Sequence, residues 1–396
     1  MAEIIKKEDR VSLAFDFKRL VGQERVEDIL SRAIKSNILP HAYLFLGADG
    51  TGKEAAAIEL AKNLLCLSDQ SSKSIESGHA PCDNCPSCVQ VDKLSHPNLR
   101  ILFPLPKPKD SSAGQARESY TDTQQKHIDE ILSEKTKNLY APLRVSGGQE
   151  ILIEHIRALR QEFRLTSYSG GWRIVLISNA DRIRVQAANA FLKLLEEPPQ
   201  NVMFILTSSR ESKILPTILS RCQVLRFSLL TEPVIASELQ ARYNLDFAKA
   251  NASARLSGGS WYSAVKWAQE DPKAEIQKAV DVLRKLVQGD PGEIDSLTDS
   301  WGTITKIDDF SNLLGMLSKW LRDVQKYDAD PDGQVDLGQD ESIIKFAKFT
   351  EGRDLESVVS EIELARNDLE RRVQPSLVAH KVFLTIWKRL FSKQPA

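Results

Sequence analysis

No stretch of this 396-residue chain is long and apolar enough to read as a membrane span, and its N-terminus is polar and lysine-bearing, without the apolar centre of a secretory signal. A cytoplasmic location is the expectation. Surplus charge is missing too. The 53 Lys and Arg residues balance 54 Asp and Glu, for a net charge of −1. This excludes a globally basic nucleic-acid binder but not a local basic surface. Cysteine is sparse, five in all. Four of the five precede residue 90, which suits a metal site in a reducing compartment better than a disulfide framework. The stretch 104–123 has little apolar content and much Pro, Lys, Ser and Gly, so it reads as an exposed insertion or disordered loop.

What is present is organised around His41-Ala-Tyr-Leu-Phe-Leu-Gly47-Ala-Asp-Gly50-Thr-Gly52-Lys53-Glu54. Its apolar run predicts a buried parallel strand over 43–46, its glycines a tight loop, and the helical periodicity of 55–66 a helix. In that order Gly47, Gly50, Gly52 and Lys53 form a phosphate loop, where backbone N–H groups and a helix N-terminus face one phosphate cluster and the Lys53 ammonium meets the outer phosphates. The next position departs from the pattern. A working loop has Ser or Thr there to hold Mg²⁺, and Glu54 instead brings a carboxylate towards anionic phosphates. Further strands are expected at 99–103, 173–177, 202–206 and 223–227, alternating with helices at 26–34, 151–163 and 185–195. That alternation predicts a parallel sheet with helices on both faces. The strand 173–177 should end in acidic residues for metal and water activation, yet it ends in Ser178 and Asn179, with Asp181 beyond its tip. Together with Glu54 these are three departures from a hydrolytic site.

Cys82-x2-Cys85-x2-Cys88 is a dense thiol cluster, and Cys66 upstream supplies a fourth ligand for a closed, structural Zn²⁺ site. If Cys66 stays in its helix, His79 or His96 completes the shell instead. Asp328-x-Asp330-x-Asp332-Gly333 imitates a calcium loop, but its twelfth position is Gln339 and Pro331 lies inside it, so a solvated acidic loop is expected. Beyond residue 230 the strands stop. Short helices lead to a Glu270-Asp271-Pro272 linker, and helices at 276–287, 307–327, 343–349, 355–373 and 377–391 predict a bundle.

Several of these elements together resemble the bacterial clamp-loader family of AAA+ proteins over nearly the whole chain. The resemblance is carried by Leu20-Val21-Gly22-Gln23, the phosphate loop, the cysteine cluster, and Ala180-Asp181-Arg182. Gln186 through Glu196-Glu197-Pro198-Pro199 and Leu215-Pro-Thr-Ile-Leu-Ser220-Arg221-Cys222 are its most specific parts. It implies an α/β AAA+ P-loop domain over 1–229 with a zinc module at 66–88. It also implies a small helical lid over 230–272 and an all-α collar over 273–396 that serves oligomerisation. Motor subunits of that family keep an intact loop, an acidic strand end and a sensor arginine where this chain has Tyr262. The resemblance therefore implies a non-hydrolysing subunit that sits in a ring with the gamma/tau motor and delta subunits. It would donate Arg221 in trans to a neighbour's ATP and act on the sliding clamp and primer-template DNA through the assembly. Whether this chain still binds ATP is left open. The alternatives are an active clamp-loader ATPase, in which Glu54 and Asp181 rebuild a metal site, and a zinc-bearing DNA-binding AAA+ adaptor.

Overall fold

The computed structural model describes residues 17–67, 80–106, 120–145, 150–165, 171–270, 272–288, 291–303, 307–330, 341–370 and 373–391. They divide into two compact units, Met1–Glu238 with Ser257–Ala264, and Leu239–Leu256 with Val265–Ala396.

In chain order the first unit contains α1 (Glu24–Lys35), β1 (Ala42–Leu46), α2 (Lys53–Leu65), α3 (Pro86–Asp92) and β2 (Leu99–Leu102). There follow α4 (Asp122–Lys137), α5 (Ile153–Leu165), β3 (Arg173–Ile177), α6 (Val185–Glu196), β4 (Val202–Ser208), α7 (Pro216–Leu219) and β5 (Gln223–Arg226). The five strands form one sheet in the order β2-β3-β4-β1-β5, and every pairing is parallel. All five residues of β1 and all seven of β4 are buried, as a parallel sheet covered on both faces requires. Alternation along β1 sends Ala42, Leu44 and Leu46 into a cluster with Phe191 and Leu194 of α6. Tyr43 and Phe45 turn to the opposite face, where Phe45 lies 5.2 Å from Phe227, ring to ring.

The predicted strands are all present, with ends displaced by at most two residues. Three helices of this unit carry no such expectation, α3, α4 and the short α7. The stretch 104–123 lies mostly outside the described residues, but α4 begins at its end. Thr121 caps that helix: its hydroxyl accepts from Gln124 N at 3.1 Å while the Gln124 side chain accepts from Thr121 N at 3.0 Å. One apolar stripe, Ile128, Ile131 and Leu132, packs α4 against Phe103, Leu143 and Val145.

α8 (Glu232–Tyr243), α9 (Phe247–Ser257) and α10 (Trp261–Gln269) follow the sheet. The second unit is helical. α11 (Pro272–Gln288), α12 (Pro291–Trp301), α13 (Ile307–Ala329), α14 (Glu341–Thr350), α15 (Leu355–Glu370) and α16 (Pro375–Leu390) surround a core that includes Phe310, Leu317, Trp320 and Phe383. The acidic sequence beginning at Asp328 falls largely outside the described residues. Among the described residues, no helix is long and apolar enough to cross a membrane.

Candidate functional site

The loop between β1 and α2 is held from both sides. Gly47 N donates to Ser208 O at 3.2 Å and Trp261 N to Gly50 O at 3.0 Å. The Gln23 amide spans from Thr51 O (3.2 Å) to Ser228 O (2.8 Å). Gly50 and Gly52 take left-handed φ values of +77° and +100°. A Cβ on Gly50 would lie 2.0 Å from Ser260 Oγ, so glycine is needed here for approach as well as for conformation. The four residues expected to cradle a phosphate thus come together, but Lys53 is turned inward. Its buried ammonium donates to Gly47 O at 2.6 Å and Ala48 O at 2.7 Å. Burial pulls its pKa down, against the opposing pull of Asp49 and Glu54.

One residue on, the departures noted in the sequence meet in space. Glu54 stands where a metal-holding hydroxyl would be, and Ser178 where a metal-binding carboxylate would be, so acid and hydroxyl have exchanged places. The Ser178 hydroxyl donates to Glu54 Oε1, and the Lys135 ammonium of α4 donates to Glu54 Oε2. Lys135 also donates to Ala141 O at 2.7 Å, and its side chain is only 1% exposed. Asn179, in a left-handed turn with φ +55°, donates from Nδ2 to Ser178 Oγ at 3.0 Å. Asp181, the other carboxylate an active site would call on, accepts from Ser208 Oγ at 2.8 Å, and its Oδ2 lies 3.6 Å from Arg210 Nε. Its side chain is 3% exposed. In this arrangement the residues do not fit a divalent metal. The carboxylate that would meet the metal already has a cation, Asp181 is committed elsewhere, and Lys53 is spent on its own loop.

Lys135 is the residue that sequence reasoning missed. Its signal was faint, since it lies in a polar helix and its partner is 81 positions away. Tyr140 and Arg144 belong with it. The Tyr140 hydroxyl accepts from Val21 N at 2.9 Å and donates to Arg19 O at 3.2 Å, while Arg144 pairs with Asp49 in the loop.

The cysteines converge. The sulfurs of Cys66, Cys82, Cys85 and Cys88 all lie within 4.8 Å of one another and could hold a metal ion. α2 ends at Leu65, and Cys66, extended at φ −63°, ψ 130°, swings its thiol into the cluster. Sulfur separations of 3.6 Å (Cys66–Cys82) and 4.0 Å (Cys66–Cys85) bracket the roughly 3.8 Å that tetrahedral geometry demands at zinc–thiolate bond lengths. Backbone N–H groups point at the sulfurs, from Cys85 to Cys82 at 3.3 Å and from Cys88 to Cys85 at 3.4 Å. Burial by itself raises the Cys85 pKa, but backbone N–H donors outweigh it and hold the thiol below its usual range. His96 is engaged elsewhere. Its Nε2 donates to Ser87 Oγ at 2.9 Å and its Nδ1 accepts from Asn98 N at 3.0 Å, a tautomer assigned from this network. His79 lies outside the described residues. Lys62 of α2 clamps the module in place through Asp83 (2.5 Å) and Asp92 (2.9 Å).

Arg221 follows α7 and precedes the edge strand β5. Its partly exposed guanidinium donates to Glu196 Oε1 at 2.9 Å and to Thr217 O at 3.1 Å, so the end of α6 positions it.

Residues 22–231 match the family model described as DNA polymerase III, delta subunit. The delta′ subunit of Bacillus subtilis is 31% identical over 217 residues, 55% of this chain and 51% of that one. The delta′ subunit of Haemophilus influenzae is 24% identical over 334 residues, 83% of this chain and 84% of that one. The tau subunit of Bacillus subtilis is 27% identical over 224 residues, 56% of this chain and 31% of that one. With the first of these relatives the match spans about half of the relative's length. With the family model covering more than half of its residues, the chain belongs to the DNA polymerase III delta-subunit family, in which its named relatives include delta′ subunits.

Proposed function

We propose that this protein is a non-hydrolysing, delta′-like subunit of a DNA polymerase III clamp loader. In this reading it helps the assembly place the sliding clamp on primer-template DNA, in the cytoplasm, in a ring with gamma/tau motor subunits and a delta subunit. Its own phosphate loop is silent, and Arg221 acts in trans on ATP bound by a neighbouring motor. One observation supports this reading above the others. The groups that would hold a metal in a working site are bound to one another, Glu54 to Ser178 and Lys135, and Asp181 to Ser208. Arg221 meanwhile remains partly exposed beside an edge strand. A guanidinium there can meet the charge that develops on a γ-phosphate as the leaving group departs. Glu196 and Thr217 hold the fork ready, so less freedom is lost when it docks.

Residues 1–229 serve here as the AAA+ body, 230–272 as the lid and 273–396 as the collar. The four cysteines hold Zn²⁺ as a structural ion, which locks the turn around Cys82 to Cys88 against the end of α2. The isolated chain is expected to show no ATP hydrolysis. Steady-state turnover that Lys53→Ala abolishes would overturn the reading in favour of an active ATPase.

A further inference from the structure

In a phosphate loop of this type, the position after the lysine and the end of a second parallel strand, here β3, one strand away across β4, together hold a divalent cation. Here those positions are Glu54 and Ser178, they are hydrogen-bonded to each other, and a cation already stands against them. It is the ammonium of Lys135, reached across the fold from α4. The segment that carries it is fastened at three points in and around the loop. Lys135 binds Glu54, the Tyr140 hydroxyl bridges Val21 N and Arg19 O, and Arg144 pairs with Asp49. Tyr140 also packs close to Gly52, where a Cβ would lie 3.1 Å from its ring. The small apolar cluster of Phe103, Ile131, Leu143 and Val145 seats the same segment on the end of β2.

We propose that residues 120–145 carry a built-in cation for the phosphate loop, the Lys135 ammonium filling from within the position that a nucleotide site gives to a divalent metal. The charges favour this arrangement. One ammonium neutralises the single carboxylate of Glu54, while Ser178 and Ala141 O take up the remaining hydrogen bonds. A divalent ion added beside Lys135 would place surplus positive charge in a buried site. The exchange of acid and hydroxyl between positions 54 and 178 gains a physical purpose from this. Glu54, at the start of α2, meets an ammonium arriving from α4, and Ser178 can then serve as a neutral donor to the same carboxylate. The inference rests on reading 47–53 as a phosphate loop and not on any role for Arg221, so the two fail separately.

The test uses the full chain purified without chelator, with Mn²⁺ as the probe, bound ion read by electron paramagnetic resonance and stability by thermal unfolding. Wild type should show no Mn²⁺ binding that depends on Glu54. Lys135→Ala should bind Mn²⁺ at least about tenfold more tightly than wild type, since a competing buried cation has gone. Its melting temperature should become Mn²⁺-dependent, and both gains should vanish in Lys135→Ala/Glu54→Gln. Wild-type Mn²⁺ binding abolished by Glu54→Gln, or no gain in Lys135→Ala, would overturn the proposal. If Lys135→Ala does not fold, Lys135→Met/Glu54→Gln, which removes both charges together, should fold with a melting temperature near wild type. Failure of that pair as well would show that the ion pair is not what holds the segment, and would equally overturn it.

Discussion

Moving one negative charge across one hydrogen bond probes the rebuilt phosphate site directly. Glu54→Thr restores the hydroxyl of a working loop but strips Lys135 of its anion. The ammonium is then left 1% exposed with Ala141 O as its remaining acceptor. Removing one partner of a buried pair costs about 3–5 kcal/mol, because the other charge stays buried without compensation. Ser178→Asp alone sets a second carboxylate beside Glu54, and one of the two must take up a proton or repel its neighbour, a loss of roughly 1–3 kcal/mol. The double variant Glu54→Thr/Ser178→Asp returns a single carboxylate to the position that Ser178 occupies, with a threonine hydroxyl to donate to it and Lys135 within the same cluster. It should therefore be more stable than the sum of the two losses by about 2 kcal/mol or more. Hydrogen exchange at the β1, β3 and β4 amides reads this within the sheet unit, separately from the helical unit. Strictly additive losses would refute the idea that Glu54, Ser178 and Lys135 act as one electrostatic group.

The remaining expectations concern the cysteine module and a buried histidine. Chelation, or Cys88→Ser, should release one zinc per chain and raise exchange at 80–92 while the sheet amides stay protected, because the thiols close a local loop over α2. A preparation with four freely titrating thiols and no metal would contradict that. His155 is buried, with Nδ1 accepting from Leu152 N at 3.4 Å and Nε2 facing the Tyr120 hydroxyl at 3.3 Å. Burial lowers its pKa from 6.5, so the folded state resists a proton that the unfolded chain accepts. The stability it contributes is complete above 6.5 and is lost as pH falls below that value. Denaturant unfolding across this range should show a slope that His155→Gln reduces, and an unchanged slope would remove His155 as its source.

How much of this was legible in the residues depends on how far apart the partners lie. The strands 43–46 and 173–177 announce themselves as apolar runs closed by glycine or polar residues, and the sheet confirms them. The absence of a metal-binding hydroxyl at Glu54 and of an acid at Ser178 was equally plain. That these two losses compensate each other was not, because nothing local links positions 124 apart. Lys135 was hidden for the same reason, in a helix whose apolar content is one narrow stripe seated on Phe103 and Leu143. The role of Cys66 turned on a single residue of helix length. α2 stops at Leu65, and the extended backbone at Cys66 delivers the thiol. Arg221 was visible as part of a motif, but its anchoring by Glu196, 25 positions upstream, appears only in the fold.

The central claim, a silent subunit that lends an arginine, is tested most directly by reconstituting the loader with Arg221→Ala in this chain alone and measuring DNA- and clamp-stimulated ATPase. The substitution removes a pair whose members are 36% and 50% exposed, worth at most about 1 kcal/mol, so the subunit should fold and assemble normally. ATPase at the neighbouring site should nevertheless fall by about tenfold or more, and Arg221→Lys should restore little of it, because an ammonium cannot reproduce the planar fork. Wild-type ATPase and clamp loading by the Arg221→Ala assembly would contradict the account.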